Sequence, residues 1–161
     1  MLDCTEAKVV DGLTLRLVAS DSGLRSIEFE PWRRLQCCRT GTHPVAGEAV
    51  RQLRAYFAGK LRRFDLPLDM QGTEFQLRVW RELEAIPFGE TRSYSQIATA
   101  IGAPRAMRAV GAANGANPIP IVVPCHRVIG AAGTLVGYGG GLPLKKRLLE
   151  LEGALALPLA Y

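Results

Sequence analysis

A short apolar segment that leads into a cysteine and a histidine constrains this chain more than any other feature. Residues 119–123 (Ile-Pro-Ile-Val-Val) run directly into Pro124-Cys125-His126-Arg127-Val128. An apolar run of this kind is typical of a buried segment. The cysteine at its end has a possible proton acceptor as its neighbour, a pairing typical of nucleophilic sites. The sequence therefore predicts a reactive thiol at the end of a buried segment.

Two considerations decide whether this thiol can react. A free cysteine has a pKa of about 8.5, so only a few per cent is thiolate at neutral pH and a nucleophile needs help. Adjacent side chains on a strand point to opposite faces, so Cys125 and His126 cooperate only if the strand ends at Pro124 or a water connects them. The alternative is a buried, inert cysteine, which composition alone favours.

Length and composition indicate a globular protein. The chain has 161 residues, 48% of them hydrophobic, enough for one compact unit or for two small ones. No segment approaches the roughly 18 consecutive apolar residues of a membrane span, and the first residues lack the basic and apolar regions of a signal peptide. We therefore expect a cytoplasmic, unexported protein that does not associate with membranes.

The cysteines and histidines predict free thiols and no metal. Four cysteines lack the spacing of a disulfide framework, and a reducing compartment favours free thiols. A zinc site needs about four ligands, whereas the chain has two histidines. The cysteines and histidines are Cys4, Cys37, Cys38, Cys125, His43 and His126. We expect neither a metal nor an organic cofactor.

The positive charge is concentrated in the second half of the chain. The net charge is +5, and from residue 86 onward seven basic side chains stand against three acidic ones, which leaves +4 there. A phosphate backbone would suit such a surface. A surplus this small is also ordinary solubility charge, so it favours DNA only slightly.

The first part of the chain reads as a small α/β domain. Residues 13–18 and 24–29 alternate as strands do, with residues 21–23 as the turn between them. A helical pattern follows over residues 48–58 and ends at Gly59. Residues 64–70 read as an extended connector. We place the N-terminal domain at residues 1–71.

Residues 72–161 read as a second, mostly helical domain. Thr73-Glu-Phe-Gln76 and Ser93-Tyr-Ser-Gln96 are both capping-box patterns, which predict helix starts. The second of these helices runs to about Ile101. A last helix runs from Pro143 to about Glu152.

Two short helices in this domain form a plausible helix-turn-helix. Gly102 allows a turn after Ile101, and Pro104 suits the first position of a helix that reaches about Asn114. This second helix carries Arg105 and Arg108 among small residues, which would let its backbone approach a DNA groove. Simple packing of two helices explains the pattern equally well.

The motifs occur in an order that resembles a known family. Asn117-Pro118, the apolar run, Pro-Cys-His-Arg-Val and the loop Gly137-Tyr-Gly-Gly-Gly141 follow the Ser-Tyr-Ser-Gln helix and an Arg-Ala-Val-Gly helix. Over about residues 72–153 the chain resembles the O6-alkylguanine-DNA alkyltransferases (methylated-DNA protein-cysteine methyltransferases). The N-terminal third matches only in layout.

The resemblance implies an α/β (α+β) fold. Its N-terminal domain would be ribonuclease-H-like, with a hairpin sheet and a helix, and its C-terminal domain winged-helix-like around the helix-turn-helix. Some relatives hold a structural zinc in the N-terminal part. Cys4 and His43 match two such ligands, but Ser20 and Arg25 stand at the other positions, so zinc is not expected.

The resemblance also implies catalytic roles. Cys125 would accept the alkyl group, with His126 as its water-linked base and Glu152 as the partner of His126. Spacing alone does not favour Glu152 over Glu150. Asn117 would hold the turn before the active-site strand through its side-chain amide.

A further set of residues would bind the damaged DNA. Tyr94 would donate to guanine N3 and crowd the DNA phosphate, and Arg108 would enter the base stack in place of the extruded nucleotide. The helix pair would contact DNA through Ser95, Ala109 and Gly111. The pocket would be completed by backbone carbonyls of Cys125 and Val128, by Tyr138 and by the N–H of Gly139.

The activity implied is direct repair of DNA by a protein that is used once. A monomer would bind duplex DNA through the minor groove with little sequence preference, flip out O6-alkylguanine and keep the alkyl group on Cys125 as a thioether. Two other functions remain open. A cysteine hydrolase would turn over without DNA, and a DNA-binding damage sensor or regulator would need no thiol at this position.

Overall fold

The computed structural model describes residues 1–32 and 38–155, which divide into two compact units. Met1–Gln71 with Pro118–Pro120 form the first, and Gly72–Asn117 with the residues from Ile121 onward form the second. The first unit is a small sheet with a helix, and the second is mostly helical. The predicted mixed α/β class is thus confirmed. No helix within the described residues is long and apolar enough to cross a membrane.

The first unit is built on a four-stranded sheet in the order β3-β2-β1-β4. The strands are β1 (Leu2–Val10), β2 (Leu13–Ser20), β3 (Gly23–Phe29) and β4 (Cys38–Thr40). β1–β2 and β2–β3 are antiparallel, whereas β1–β4 is parallel. The predicted hairpin is the β2–β3 pair. β1 and β4 were not predicted. The many polar residues in β1 obscure its alternation, and β4 has only three residues.

One helix, α1 (Pro44–Phe57), packs against β1 and buries one apolar face. It starts four residues before the predicted position, because the ring Nδ1 of His43 accepts a hydrogen bond from the N–H of Val45 at 3.1 Å and caps the helix at Pro44. The side chain of Gln52 binds both the N–H and the C=O of Asp65 at 2.9 Å, which ties the connector to α1.

Within its described residues, which end at 155, the second unit contains four α-helices and a two-stranded parallel sheet. The helices are α2 (Glu74–Glu84), α3 (Tyr94–Ala100), α4 (Met107–Gly115) and α5 (Leu142–Leu151), and the strands are β5 (Arg92–Ser93) and β6 (Val128–Ile129). Both predicted capping boxes are present, at Thr73 and at Ser93. α4 packs against α2 and α3, and the indole N–H of Trp80 donates to the carbonyl of Ala113 at 2.8 Å.

The second helix of the pair starts later than the sequence predicts. Pro104 lies in a turn, closed by a hydrogen bond from the N–H of Ala106 to the carbonyl of Ala103, and α4 begins only at Met107. Ala106 offers no capping side chain. Arg105 therefore precedes α4 and is not part of it.

The apolar run is buried, as predicted, but it is not a strand. Three of its residues are at most 1% exposed: Ile119, Ile121 and Val123. The backbone turns at Ile121, where φ is +73°, a value rarely adopted by a β-branched residue. A 3-10 turn, Cys125–Arg127, follows at once. The extended path therefore ends before Cys125, which is one of the two possibilities that the sequence left open.

Candidate active site

Cys125 occupies the first position of the 3-10 turn. Its N–H donates to the carbonyl of Val123 at 2.8 Å, and its side chain is 6% exposed. It is a free thiol. Because the turn replaces a strand here, Cys125 and His126 are not held on opposite faces of a sheet.

Two asparagines fix the backbone around the thiol. The amide of Asn117 donates to the carbonyl of Val123 at 2.8 Å, which braces the turn that precedes Cys125. The amide of Asn114, on α4, donates to the carbonyl of Cys125 at 3.4 Å. Asn117 was selected from the sequence, whereas Asn114 was not.

His126 and Glu152 form a fully buried pair. Nε2 of His126 lies 3.0 Å from Oε2 of Glu152, and both side chains are 0% exposed. Nδ1 of His126 is also buried and has no hydrogen-bond partner within residues 1–32 and 38–155. Glu150, the alternative from spacing, is exposed and lies 3.8 Å from Lys146.

Arg127 holds the same carboxylate from the other side. Its guanidinium donates to both oxygens of Glu152, at 2.9 and 2.8 Å, and to the carbonyl of Ile86 at 2.7 Å. A bidentate pair of this kind fixes the carboxylate in one orientation. Glu152 is thus positioned by Arg127 to face His126.

The charges in this network follow from burial and hydrogen bonding. Burial raises the pKa of Glu152, but the hydrogen bonds from Arg127 and His126 outweigh it and bring the pKa to about 2. Burial lowers the pKa of His126 more than its bond to Glu152 raises it. Near neutral pH the pair is therefore a carboxylate and a neutral imidazole. A carboxylate only accepts hydrogen bonds, so Nε2 carries the proton and Nδ1 is left as an acceptor.

Burial raises the pKa of the Cys125 thiol to about 11, although a hydrogen bond from Asn117 and the charge of Lys145 act to lower it. Lys145 is itself completely buried, and its ammonium donates to the carbonyls of Val128, Val136 and Gly137 at 2.7, 2.8 and 3.5 Å. The thiol is therefore protonated at neutral pH and must lose its proton to react.

Tyr94 reaches the site through the small parallel sheet. β5 pairs with β6 so that Arg92 lies opposite Val128 and Ser93 opposite Ile129. Tyr94 directly follows β5, and Cys125–Arg127 directly precedes β6. Burial and the nearby Cys125 raise the pKa of Tyr94, whereas a hydrogen bond from Asn114 lowers it.

The other residues selected for the pocket lie on β6 and the loop after it. Val128 is buried in β6, Tyr138 is half-buried and Gly139 is exposed. Lys145 binds the carbonyls of both Val128 and Gly137, so it joins β6 to this loop.

The residues selected for DNA contact lie on α3 and α4. Ser95, Arg108 and Ala109 are exposed, as is Arg105 in the turn before α4. Gly111 faces Tyr94, since a Cβ there would lie 3.9 Å from the tyrosine ring. The exposed residues are available to a large ligand, and Gly111 allows the ring to pack against α4.

Three polar residues of the site were missed from the sequence: Asn114, Arg127 and Lys145. Lys145 lies between the leucines of α5, in a pattern that suggests a solvated charge. Arg127 lies next to the selected Cys-His pair, and this proximity was the available signal. The sequence around Asn114, near the end of a helix of small residues, contains no signal that it belongs to the site.

The residues considered for zinc have other partners. Cys4 is disulfide-bonded, so the expectation of a free thiol there is wrong. His43 caps α1, while Ser20 and Arg25 both bind Asp69. Among the described residues, no group of three or more His, Cys, Asp or Glu side chains could hold a metal ion. Cys37 lies outside those residues.

Comparisons with known proteins cover both units. The DNA-binding domain of 6-O-methylguanine DNA methyltransferase matches residues 74–154, and the ribonuclease-like domain of the same proteins matches residues 14–70. The methylated-DNA–protein-cysteine methyltransferase of Mycolicibacterium paratuberculosis is 69% identical over 104 residues, 65% of this chain and 63% of that protein. This alignment spans less than two thirds of the relative's length.

Two longer alignments agree with these matches. The methyltransferase of the same name from Mycobacterium leprae is 63% identical over 117 residues, 71% of each protein. The crystal structure of Mycobacterium tuberculosis OGT in complex with DNA superposes with a TM-score of 0.84 at 48% identity, and covers 95% of this chain and 92% of that one. With the buried Cys-His-Glu arrangement in place, these matches show that the chain belongs to the 6-O-methylguanine DNA methyltransferase family.

Proposed function

We propose that this chain repairs duplex DNA by moving the alkyl group of O6-alkylguanine irreversibly onto Cys125. The observation that carries this proposal is a buried free thiol next to a buried His126–Glu152 pair whose Nδ1 has no partner among the described residues. The similarity to an OGT structure solved in complex with DNA supports DNA as the partner.

His126 acts as the base that activates the thiol. Its imidazole is neutral near pH 7, because burial lowers its pKa. Glu152 holds the proton on Nε2 and stabilises the imidazolium that forms when Nδ1 takes a proton. The thiol proton passes to Nδ1 through a bridging water, and the thiolate is formed only within the site.

The transfer step is a displacement at the alkyl carbon. The bond from Sγ of Cys125 to carbon forms as the bond from that carbon to O6 of guanine breaks, and the electron pair passes to the purine. Tyr94 donates its hydroxyl proton to N3 and so neutralises the leaving base. The proton held by His126 then restores the Tyr94 hydroxyl, which balances the reaction as thioether plus guanine.

The helices α3 and α4 bring the lesion to the thiol. An alkyl group on O6 is hidden in the duplex, so the nucleotide must rotate out of the stack at a cost of a few kcal/mol. Arg108 is exposed on α4 and would fill the space that the base leaves. Ser95, Ala109 and the small residues of α4 suit the minor groove, where sequence is poorly distinguished.

The product makes the protein single-use. A thioether has no acyl carbon for water to attack and no good leaving group, so Cys125 is not regenerated. A hydrolase would instead turn over many times, and a sensor without chemistry would need no base beside a thiol.

The test is the stoichiometry of transfer from a duplex that carries radiolabelled O6-methylguanine. We expect labelled methyl to reach one equivalent of protein and stop, and Cys125→Ala to bind the duplex while taking up no label. Continued release of free methyl product beyond one equivalent, or uptake by Cys125→Ala, would overturn the proposal.

A further inference from the structure

The loop that leads to the reactive cysteine runs through both units of the protein. Asn117 belongs to the second unit, Pro118–Pro120 belong to the first, and the chain returns to the second at Ile121. Ile119, in the middle of this segment, is 0% exposed. A short stretch just before Cys125 is therefore part of the first unit.

The outer edge of β3 holds this stretch. The N–H of Ile27 donates to the carbonyl of Pro118 at 2.9 Å. On the same strand, the N–H of Leu24 donates to the carbonyl of Pro67, in the connector, at 2.8 Å. An edge strand leaves N–H groups unpaired unless another segment covers them, and two proline carbonyls do so here. The two bonds are alike in donor strand, acceptor and length, but only the first lies on the path to the thiol.

The residue next to Pro118 acts directly on the thiol. The side-chain amide of Asn117 donates to the carbonyl of Val123 at 2.8 Å. It also hydrogen-bonds Cys125, which lowers the pKa of the thiol against the larger effect of burial. An amide nitrogen carries two hydrogens, so it can serve both acceptors. Both bonds require that the backbone at Asn117 stays in place.

The return of the chain to the second unit is strained. Ile121 has φ +73°, where the Cβ of a branched residue crowds the backbone, and its side chain is 1% exposed. Such a conformation persists only where the surrounding structure over-determines it. The Ile27–Pro118 bond fixes the chain before Ile121, and the Asn117–Val123 bond closes the loop around it. Loss of the first bond would let the loop relax.

We propose that Ile27 is a positioning residue for the transfer reaction: its backbone N–H anchors Pro118 to β3 and thereby holds Asn117 against the Cys125 sulfur. The first unit thus contributes to the reactivity of a thiol that belongs to the second. The inference rests on the proposed function for its link to alkyl transfer, whereas the effect on the thiol itself does not depend on that function. Leu24 has no such role.

The test removes one backbone N–H at a time. The amide at Ile27 is replaced by an ester through incorporation of the α-hydroxy analogue of isoleucine, and the same change at Leu24 is the matched control. Each protein keeps its side chain and loses one edge hydrogen bond of β3. Two rates are measured: benzyl transfer from free O6-benzylguanine, which needs no DNA binding, and alkylation by iodoacetamide as a function of pH, followed on the peptide that contains Cys125.

We expect the two esters to lower the urea midpoint alike, since each loses one hydrogen bond of similar length. Only the Ile27 ester should slow benzyl transfer, by about fivefold, the rate equivalent of one hydrogen bond. It should also move the alkylation profile to higher pH, because the hydrogen bond that lowers the pKa of Cys125 is weakened. In an Asn117→Ala background the Ile27 ester should have no further effect on either rate, since the group that it positions is gone.

Equal effects of the two esters on both rates, including no effect of either, would overturn the role of Ile27. A further loss in the Asn117→Ala background would do the same. Absence of benzyl transfer in the wild-type protein would overturn the proposed function, while the iodoacetamide profiles would still decide the role of Ile27.

A side-chain variant tests the same anchor if the Ile27 ester does not fold. Ile119→Val removes one methyl group from the stretch that β3 holds, and should slow both reactions of Cys125. Val18→Ala is its control, because Val18 is a buried residue of β2, 2% exposed, that loses more of its side chain. It should lower stability at least as much yet leave both rates unchanged. Equal rates for the two variants would overturn the proposal.

Discussion

The carboxylate of Glu152 lies 3.0 Å from Nε2 of His126, and neither side chain is exposed to solvent. Arg127 completes the arrangement with two further hydrogen bonds to the same carboxylate. A buried charge pair contributes little net stability compared with an apolar pair, but removing one member leaves the other uncompensated. The arrangement therefore fixes the tautomer of His126, and replacing Glu152 would leave the buried guanidinium of Arg127 without its counter-charge.

Replacing Glu152 should damage both stability and transfer. Glu152→Gln removes the negative charge from a buried guanidinium, and we expect the free energy of unfolding to fall by about 3–5 kcal/mol in urea titrations. The same change removes the group that holds the His126 tautomer, so the transfer rate should fall at least about a hundredfold.

Glu150→Gln is the matched control, because Glu150 lies two residues before Glu152 and forms an exposed ion pair with Lys146. It should change stability by less than about 1 kcal/mol and leave the rate unchanged. Equal effects of the two substitutions would contradict the assignment of Glu152.

Replacing Lys145 should lower stability far more than replacing its neighbour Lys146. Lys145→Met leaves the carbonyls of Val128, Val136 and Gly137 without their shared donor. An unmet carbonyl such as that of the buried Val128 costs about 1–3 kcal/mol, and loss of the positive charge raises the pKa of Cys125 further, which slows transfer. Lys146→Met, on the exposed side of α5, should fall within about 0.5 kcal/mol of wild type. Indistinguishable unfolding curves for the two variants would exclude a structural role for the buried ammonium.

Arg108 should be needed for duplex DNA but not for a free base. Arg108→Ala removes the side chain expected to fill the stack, so repair of a methylated duplex should slow by much more than attack on free O6-benzylguanine. Arg105→Ala removes an equal charge from the turn before α4 and should weaken DNA binding only modestly, by one phosphate contact at most. Equal losses on both substrates for Arg108→Ala would remove its role in base flipping.

As the pH is lowered, stability should begin to fall at a higher pH than the titration of carboxylates alone would cause. The folded state lowers the pKa of His126 below its ordinary 6.5, so the unfolded chain binds more protons there, and stability decreases as the pH falls below about 6.5. Glu152, with a folded pKa of about 2, adds a second loss below its ordinary pKa of 4.5. Urea unfolding between pH 7 and 3 measures both steps. His126→Gln should remove the first step, and a wild-type profile flat from pH 7 to 5 would contradict the neutral, buried imidazole.

The features predicted well from the sequence are local ones. Thr73 with Gln76 and Ser93 with Gln96 are capping boxes because the partners lie within one turn of helix, and both are present. The β5–β6 pair depends on two residues from each of two distant segments, and no periodicity can indicate it. It is this pair, however, that brings Tyr94 towards the 3-10 turn.

Buried polar residues were the least predictable part of the site. Lys145 lies among leucines on α5 in a pattern that suggests a surface charge, yet its ammonium is buried and donates to three backbone carbonyls. Asn114 has a small-residue helix around it and acquires its contacts only when α4 packs beside Cys125. Spacing alone does not favour Glu152 over Glu150, and the tertiary contacts of Glu152 with His126 and Arg127 distinguish them. Such contacts join residues far apart in the chain, so spacing carries no record of them.

The most direct test of irreversible transfer to Cys125 is the mass of its peptide after the protein meets an excess of O6-methylguanine duplex. The predicted result is one added methylene mass on the peptide that contains Cys125, complete when one lesion has been repaired for each protein molecule. An unchanged Cys125 peptide, or the added mass on a peptide that carries another cysteine, would contradict it.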